Sequence, residues 1–197
     1  MKKNINIYTQ ISAGKYKGKK LLLPSLDTTR STKSILKESL FNTLQFEIID
    51  KVFVEVFGGS GSMGLEALSR GAKRAYFIEK DKSAYQRLQQ NIDLIDRENS
   101  ISYQGDSFEI YPQIANQLSN QKESCYLYFD PPFDIRDGME GIYEKVISLI
   151  ENTPSNIVIM IIVEHLSSRK MPESIGLYKQ KKSKKFGKSR LTYYINS

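Results

Sequence analysis

The stretch Val52-Phe53-Val54-Glu55-Val56-Phe57-Gly58-Gly59-Ser60-Gly61-Ser62-Met63-Gly64 decides how the chain is read. Its apolar opening predicts a strand over 52–57, its glycines a sharp turn, and the following Leu65-Glu66-Ala67-Leu68 a helix over about 62–70. Strand, glycine turn and helix together form the entry to a nucleotide-binding βαβ unit. Glycine lets the backbone turn tightly and lets a bound cofactor lie close against it. The spacing Gly59-x-Gly61-x-x-Gly64 also fits the dinucleotide fingerprint, so this segment leaves the ligand open.

Outward from this turn the pattern alternates. Strands are expected at 75–79, 101–103, 126–129 and 156–163, separated by helices at about 82–95, 107–119 and 139–151. Arg70-Gly71 reads as a C-terminal glycine cap. Asn156 to Val163 carries no charge over eight residues and fits a central buried strand. Alternation of this kind implies a mostly parallel sheet covered on both faces. At the C-terminus, 175–186 and 190–195 are separated only by the turn Phe186-Gly187-Lys188-Ser189, so those two strands must be antiparallel. Upstream, Ile35, Leu36, Leu40, Phe41 and Leu44 mark a helix that Ser31 or Thr32 could cap. The division expected is a basic extension over 1–30, hairpin or arm, followed by one α/β domain over 31–197.

Composition narrows the function. The chain has 197 residues, 40% hydrophobic and 26% charged, enough for one domain with a substantial core. It contains no apolar run long enough to span a membrane, and no apolar signal-peptide stretch follows the basic start Met1-Lys2-Lys3-Asn4. The single cysteine, Cys125, argues against disulfides and a zinc site, and the single histidine, His165, leaves little room for a triad. A soluble, cytoplasmic protein with no metal is expected. The net charge of +7 is concentrated at the ends: residues 1–20 hold six lysines and 179–190 hold seven Lys or Arg, neither stretch with an acid. Such ends suggest a polyanion partner, most simply nucleic acid. Lys17, Lys19, Lys20, Arg30 and Thr32 at one end, and Lys181, Lys182, Lys184, Lys185, Lys188 and Arg190 at the other, are the candidate contacts.

Acids recur where strands end. Glu55 precedes the glycine turn, Glu79 closes the second strand and Asp106 follows the third. Ligands of open α/β sheets bind at the carboxyl ends of their strands, so these acids would ring one crevice. Glu79 stands where an acid accepting ribose hydroxyls is expected. Asp130-Pro131-Pro132-Phe133 leaves the 126–129 strand as a stiff loop over the same crevice, since each proline fixes φ and removes an N–H. An aspartate acceptor, a bare carbonyl at Pro131 and an aromatic face suit an exocyclic amine on a nucleobase. Two acceptors on its hydrogens localise its lone pair, and Phe133 could stack on a base held out of its helix.

With these residues quoted, the chain resembles the S-adenosylmethionine-dependent amino-methyltransferases. The RsmD family is the narrower match, through Gly14-x-x-Lys17-Gly18-Lys19-Lys20-Leu21, Thr29-Arg30-Ser31-Thr32, Leu40-Phe41-Asn42-x-Leu44 and Gly64-Leu65-Glu66-Ala67-Leu68-Ser69-Arg70-Gly71-Ala72. The likeness runs from about residue 11 to Phe186-Gly187-x-Ser189-x-Leu191. Where the family usually has Asp, Ala and Pro, this chain has Glu55, Gly58 and Ser31. The resemblance implies a Rossmann-like class I methyltransferase fold, a mostly parallel seven-stranded sheet ending in an antiparallel hairpin strand. It also implies methylation of guanine N2 in bacterial 16S ribosomal RNA, free or in the assembling small subunit, by a monomer. S-adenosylmethionine would lie against Glu55, Phe57, Gly58, Gly59, Ser60 and Gly61, with Glu79 and Lys80 at its ribose and Asp106 and Ser107 at its adenine. Asp130, Pro131, Pro132 and Phe133 would be the catalytic group. Three other readings stand beside it: an adenine-N6 methyltransferase on DNA, a nicotinamide oxidoreductase, and a non-catalytic RNA-binding assembly factor.

Overall fold

The computed structural model describes residues 7–23, 30–133, 138 and 140–197, with residues 30–32 at the level of backbone only. A hairpin of β1 (Ile7–Gln10) and β2 (Lys20–Leu23) comes first, then helix α1 (Arg30–Leu44). The body follows as β3 (Val52–Glu55), α2 (Ser62–Ser69), β4 (Arg74–Glu79), α3 (Lys82–Ile95), β5 (Ser100–Gln104), α4 (Ser107–Gln121) and β6 (Cys125–Phe129). It continues with α5 (Ile142–Glu151), β7 (Val158–Leu166), β8 (Ser174–Ile175), β9 (Tyr178–Phe186) and β10 (Ser189–Asn196). No helix among the described residues is long and apolar enough to cross a membrane.

The main sheet has eight strands in the order β5-β4-β3-β6-β7-β10-β9-β8. The first five run parallel and the last three alternate in direction. Its eighth strand is a correction to the expected seven. The stretch 175–186 is cut by the two-residue turn Gly176-Leu177, where Gly176 has φ +54, and Ser174–Ile175 folds back on β9. A glycine with positive φ opening a two-residue loop is what a tight hairpin demands. Gly187, φ +57, does the same between β9 and β10.

Other boundaries differ from the sequence reading, the strand expected over 52–57 ending at Glu55 where the glycine turn begins. Helix α1 begins at Arg30, which places Ser31 and Thr32 inside its first turn rather than at its cap. Strand β7 starts after a 3₁₀ turn at Ser155–Ile157 and runs three residues further than expected, taking in Glu164 and His165. Helix α5 starts three residues late, behind Gly141 with φ 72.

Each face of the sheet is covered. Phe53, Phe77, Tyr126, Tyr128, Ile162 and Tyr193 meet α1, α2, α3 and the hairpin on one side. Val54, Tyr76, Leu127, Phe129, Val163 and Tyr194 meet α4 and α5 on the other. Alternation within strands buried on both sides produces this split, since successive side chains point to opposite faces. Helix α2 ends as expected: Gly71 takes φ +101, and the Ala72 N–H returns to the Ala67 carbonyl at 3.0 Å, closing a Schellman cap.

The topology locates the crevice. From the central β3 the chain steps to β4 and β5 on one side, then returns to place β6 and β7 on the other. The switch point lies between β3 and β6, where helices leave the sheet in opposite directions and open a space at the strands' carboxyl ends. Glu55 and Asp130 stand at those two ends.

Candidate active site

The glycine turn is built from the sheet outward. The Gly58 N–H donates to the Ile78 carbonyl at 2.6 Å, clamping the turn across the end of β4. Gly59 takes φ +50, and a Cβ placed on it would meet nothing within 4 Å, so the turn faces open space at that point. Its N–H donates to Glu79 Oε2 at 2.7 Å, while Oε1 of the same carboxylate accepts from the Asp81 N–H at 2.7 Å. Glu79 is thereby fixed at the rim of the turn with lone pairs to spare. Gly64 is needed for a different reason. A Cβ there would lie 2.3 Å from the Phe77 ring, so the third glycine of the spacing packs the helix rather than facing a ligand.

Glu55 is buried beneath the turn. Its carboxylate accepts from the Gly64 N–H at 2.8 Å and the Met63 N–H at 3.4 Å, the first-turn donors of α2. Burial nevertheless pushes its pKa up to about 8, the two amide bonds and Lys33 offsetting only part of the desolvation. A carboxyl raised in the folded state costs stability as pH climbs from its unfolded value near 4.5 towards 8. Wild-type stability should therefore fall relative to Glu55→Gln between pH 5 and 8, by on the order of a few kcal/mol. Urea unfolding of both proteins across that range tests this. Parallel pH curves would mean that Glu55 ionises normally.

The residues expected at the adenine side are held by one another and by the strand beneath. Asp106 caps α4 by accepting from the Phe108 N–H at 2.9 Å, and its other oxygen lies 2.8 Å from Lys80 Nζ. The hydrogen bond from Lys80 lowers its pKa, burial opposing. Ser107 Oγ donates to the Val56 carbonyl at 2.6 Å, tying α4 to the strand beneath the turn. Phe57 meets Phe108 edge to face at 5.8 Å, walling the same side, and Ser60 lies buried in the turn.

At the other end of the crevice Pro131 is buried, with Asp130, Pro132 and Phe133 half-buried. Asp130 Oδ2 lies 2.9 Å from Lys33 Nζ, and the same ammonium lies 2.6 Å from Glu164 Oε1. Glu164 is fully buried, its second oxygen accepting from the Tyr128 hydroxyl at 2.6 Å. Burial works against the Lys33 ammonium, but the two carboxylates outweigh it and hold its pKa above the ordinary lysine value. The sequence reading missed Lys33, Glu164 and Tyr128. Glu164 carried a signal, being an acid at a strand end like the three that were read. Lys33 carried none, because a lysine in a helix that bears Lys37 on the next turn looks like solvated surface.

The basic candidates divide. Lys17, Lys19 and Lys20 are exposed along the hairpin, with Lys19 Nζ also 3.3 Å from the Leu94 carbonyl. Lys181, Lys185 and Lys188 are exposed on β9 and its turn. Lys182, half-buried, and Lys184, exposed, both reach α1, donating to Thr43 Oγ1 at 2.9 Å and Ser39 Oγ at 2.8 Å, over the rings of Tyr193 and Phe186. Arg190 is half-buried and donates to Ser183 Oγ at 3.2 Å. The side chains of Arg30 and Thr32 lie outside the described residues. Register brings the far strand near the crevice: Glu164, Leu191 and Lys184 form one cross-strand row, spanning roughly 10 Å at ordinary strand spacing.

Comparison with known proteins fits this arrangement. A family described as conserved hypothetical protein 95 matches residues 9–195. The ribosomal RNA small subunit methyltransferase D of Haemophilus influenzae is 32% identical over 179 residues, 87% of this chain and 87% of that protein. Its namesake from Escherichia coli is 32% identical over 143 residues, 73% of this chain and 67% of that protein. The solved structure of yhhF from Escherichia coli superposes with a TM-score of 0.74 at 28% identity, covering 97% of this chain and 99% of that one.

Proposed function

This chain belongs to the RsmD family, and on that premise we propose that it is an S-adenosylmethionine-dependent methyltransferase acting on guanine N2 in small-subunit (16S) ribosomal RNA. One observation carries the reading. Because β3 lies between β4 and β6, the Glu79-held glycine turn and the Asp130–Phe133 loop share one crevice at the switch point. A glycine turn alone fits many nucleotides, and a stiff acidic loop alone fits many strand exits. Their union fits a cofactor beside an amine.

The residues present suit the cofactor. Open space above Gly59 and the fixed carboxylate of Glu79 can take a ribose diol, and Asp106 with Ser107 borders the adenine side. When bound, S-adenosylmethionine supplies a methyl group on a positively charged sulfur. Asp130 and the Pro131 carbonyl accept the hydrogens of the target amine, and Phe133 stacks on its ring. Positive charge grows on N2 during attack, and a carboxylate at hydrogen-bond distance stabilises it. Positioning does the rest. Exposed lysines on the hairpin and β9 meet phosphates. In this reading residues 31–197 are the catalytic domain, residues 1–30 the basic extension, and one copy suffices.

A nicotinamide dinucleotide fits less well. Its pyrophosphate needs the free N–H groups at the N-terminus of the helix after the turn, and Glu55 occupies those of Met63 and Gly64. A binding protein without activity leaves the shared crevice unexplained.

The decisive experiment incubates the purified chain, labelled S-adenosylmethionine and small subunits from a strain lacking its gene, then identifies the modified nucleoside by mass spectrometry. N2-methylguanosine is expected. Methyladenosine, or no transfer to RNA at all, would overturn the reading. Glu79→Ala should weaken cofactor affinity by about 2–3 kcal/mol, the loss of a charged acceptor of two hydrogen bonds. Calorimetry showing unchanged affinity would remove Glu79 from the site.

A further inference from the structure

We propose that Lys33 is a positioning residue for the transfer reaction: it holds Asp130 in its reactive orientation by pinning one carboxylate oxygen, itself anchored by Glu164 and Tyr128. This role rests on the methyltransferase reading above. Glu55 ends β3, Asp130 follows β6 directly and Glu164 lies near the end of β7, on three strands that lie side by side. Asp130 and Glu164, acids at the same end of neighbouring strands, would repel one another without a cation between them. Lys33 is the cation placed among them, 2.9 Å from Asp130 Oδ2 and 2.6 Å from Glu164 Oε1.

The anchoring is rigid on its far side. Glu164 is fully buried within β7, and its Oε2 takes the hydroxyl of Tyr128, itself fully buried two residues before Asp130 on β6. Lys33 therefore ties the catalytic loop to two adjacent strands through a chain of charge-assisted bonds. Pinning Oδ2 fixes the plane of the carboxylate, as a directional bond to an amine hydrogen requires. The Lys33 side chain as a whole is a third exposed, its stem running along the helix side while the ammonium sits between the two carboxylates.

Its helix is held as well. Lys37, one turn on, donates to the Gln10 carbonyl at 2.6 Å and pairs with Glu66, while Ser39 and Thr43 accept from Lys184 and Lys182 of β9. Helix α1 thus spans from the basic hairpin and the basic strand to the aspartate of the reaction, with Lys33 at the end that meets the chemistry.

The test compares Lys33→Met, Lys33→Arg and the double variant Lys33→Met/Glu164→Gln with wild type, measuring single-turnover transfer, RNA concentration dependence and cofactor affinity. Lys33→Met should lower the rate constant at saturating RNA between about 10- and 100-fold, as a displaced catalytic group does. KM for RNA and cofactor affinity should stay within about twofold, and Lys33→Arg should recover most of the rate. The double variant removes the carboxylate that Lys33→Met would leave buried and unpaired. It should remain slow if Lys33 acts through Asp130. Recovery in the double variant, or a Lys33→Met rate within about threefold of wild type, would overturn the role and leave the function standing. A wild-type chain without transfer to guanine would overturn both.

Discussion

Asp130→Asn is expected to slow methyl transfer by on the order of 100-fold or more while leaving both ligands bound. The amide has nearly the shape of the carboxylate and still offers one oxygen to the target amine. It lacks the full negative charge that opposes positive charge growing on N2, and it weakens the bond to Lys33 at the oxygen now 2.9 Å away. The proposed cofactor contacts lie across the crevice, at Glu79 and the glycine turn, so affinity for S-adenosylmethionine should be unchanged. RNA affinity should move little, because phosphate contacts dominate it. The loss belongs to the chemical step, and single-turnover kinetics at saturating cofactor and RNA isolate it. A rate within a few-fold of wild type would reduce the Asp130–Phe133 loop to a rigid strand exit.

Glu66→Ala is expected to be the most destabilising of these changes, at about 3–5 kcal/mol, without touching the crevice. Glu66 is fully buried on α2, and its two oxygens collect the Ser12 N–H at 2.8 Å, the Ser12 hydroxyl at 2.6 Å, Arg70 Nε at 2.8 Å and Lys37 Nζ at 3.2 Å. Truncation strands the nearly inaccessible Lys37 ammonium in the core and undocks the hairpin loop from α2. Burial alone would raise the pKa of Glu66, but Lys37, Ser12 and Arg70 outweigh it and lower it. Its contribution is therefore present above the unfolded value near 4.5 and is lost as pH falls below it. Denaturant unfolding of Glu66→Ala at neutral pH measures the cost. Lys37→Met/Glu66→Met should recover much of the loss, since apolar residues of similar volume leave no unpaired charge. A Glu66→Ala penalty under about 1 kcal/mol would mean the cluster is hydrated rather than buried.

The order of elements was legible in the residues themselves. Period-2 apolar runs, helical stripes and glycines with positive φ are local signals, and the strand, glycine turn and helix around Glu55–Gly64 needed nothing from the rest of the chain. Strand ends were legible for the same reason, which is why Glu55, Glu79, Asp106 and Asp130 could be read as one ring once a parallel sheet was inferred. Residues 175–186 misled because a Gly-Leu pair inside a long polar strand looks continuous until pairing with a neighbour shows the fold-back.

What only the tertiary structure decided are the pairings between distant residues. Lys33 and Glu164 are separated by most of the chain, and neither carries a local mark of its partner. The charge of a buried group depends on what faces it. Glu55 and Glu66 are both buried glutamates at the start of or near α2, yet one is pushed up to about 8 and the other is lowered. Glu55 meets two amide N–H groups and feels Lys33 only at a distance, whereas Glu66 pairs directly with Lys37 and Arg70. Lysines on β9 show the same limit: alternation says which share a face, but only the packed helix α1 draws Lys182 and Lys184 into hydrogen bonds and half-buries Lys182, while Lys181 and Lys185 stay on the open basic surface. Local sequence determines backbone geometry because sterics act over a few residues, while charge, pairing and orientation are set by neighbours that folding alone brings within a few ångströms.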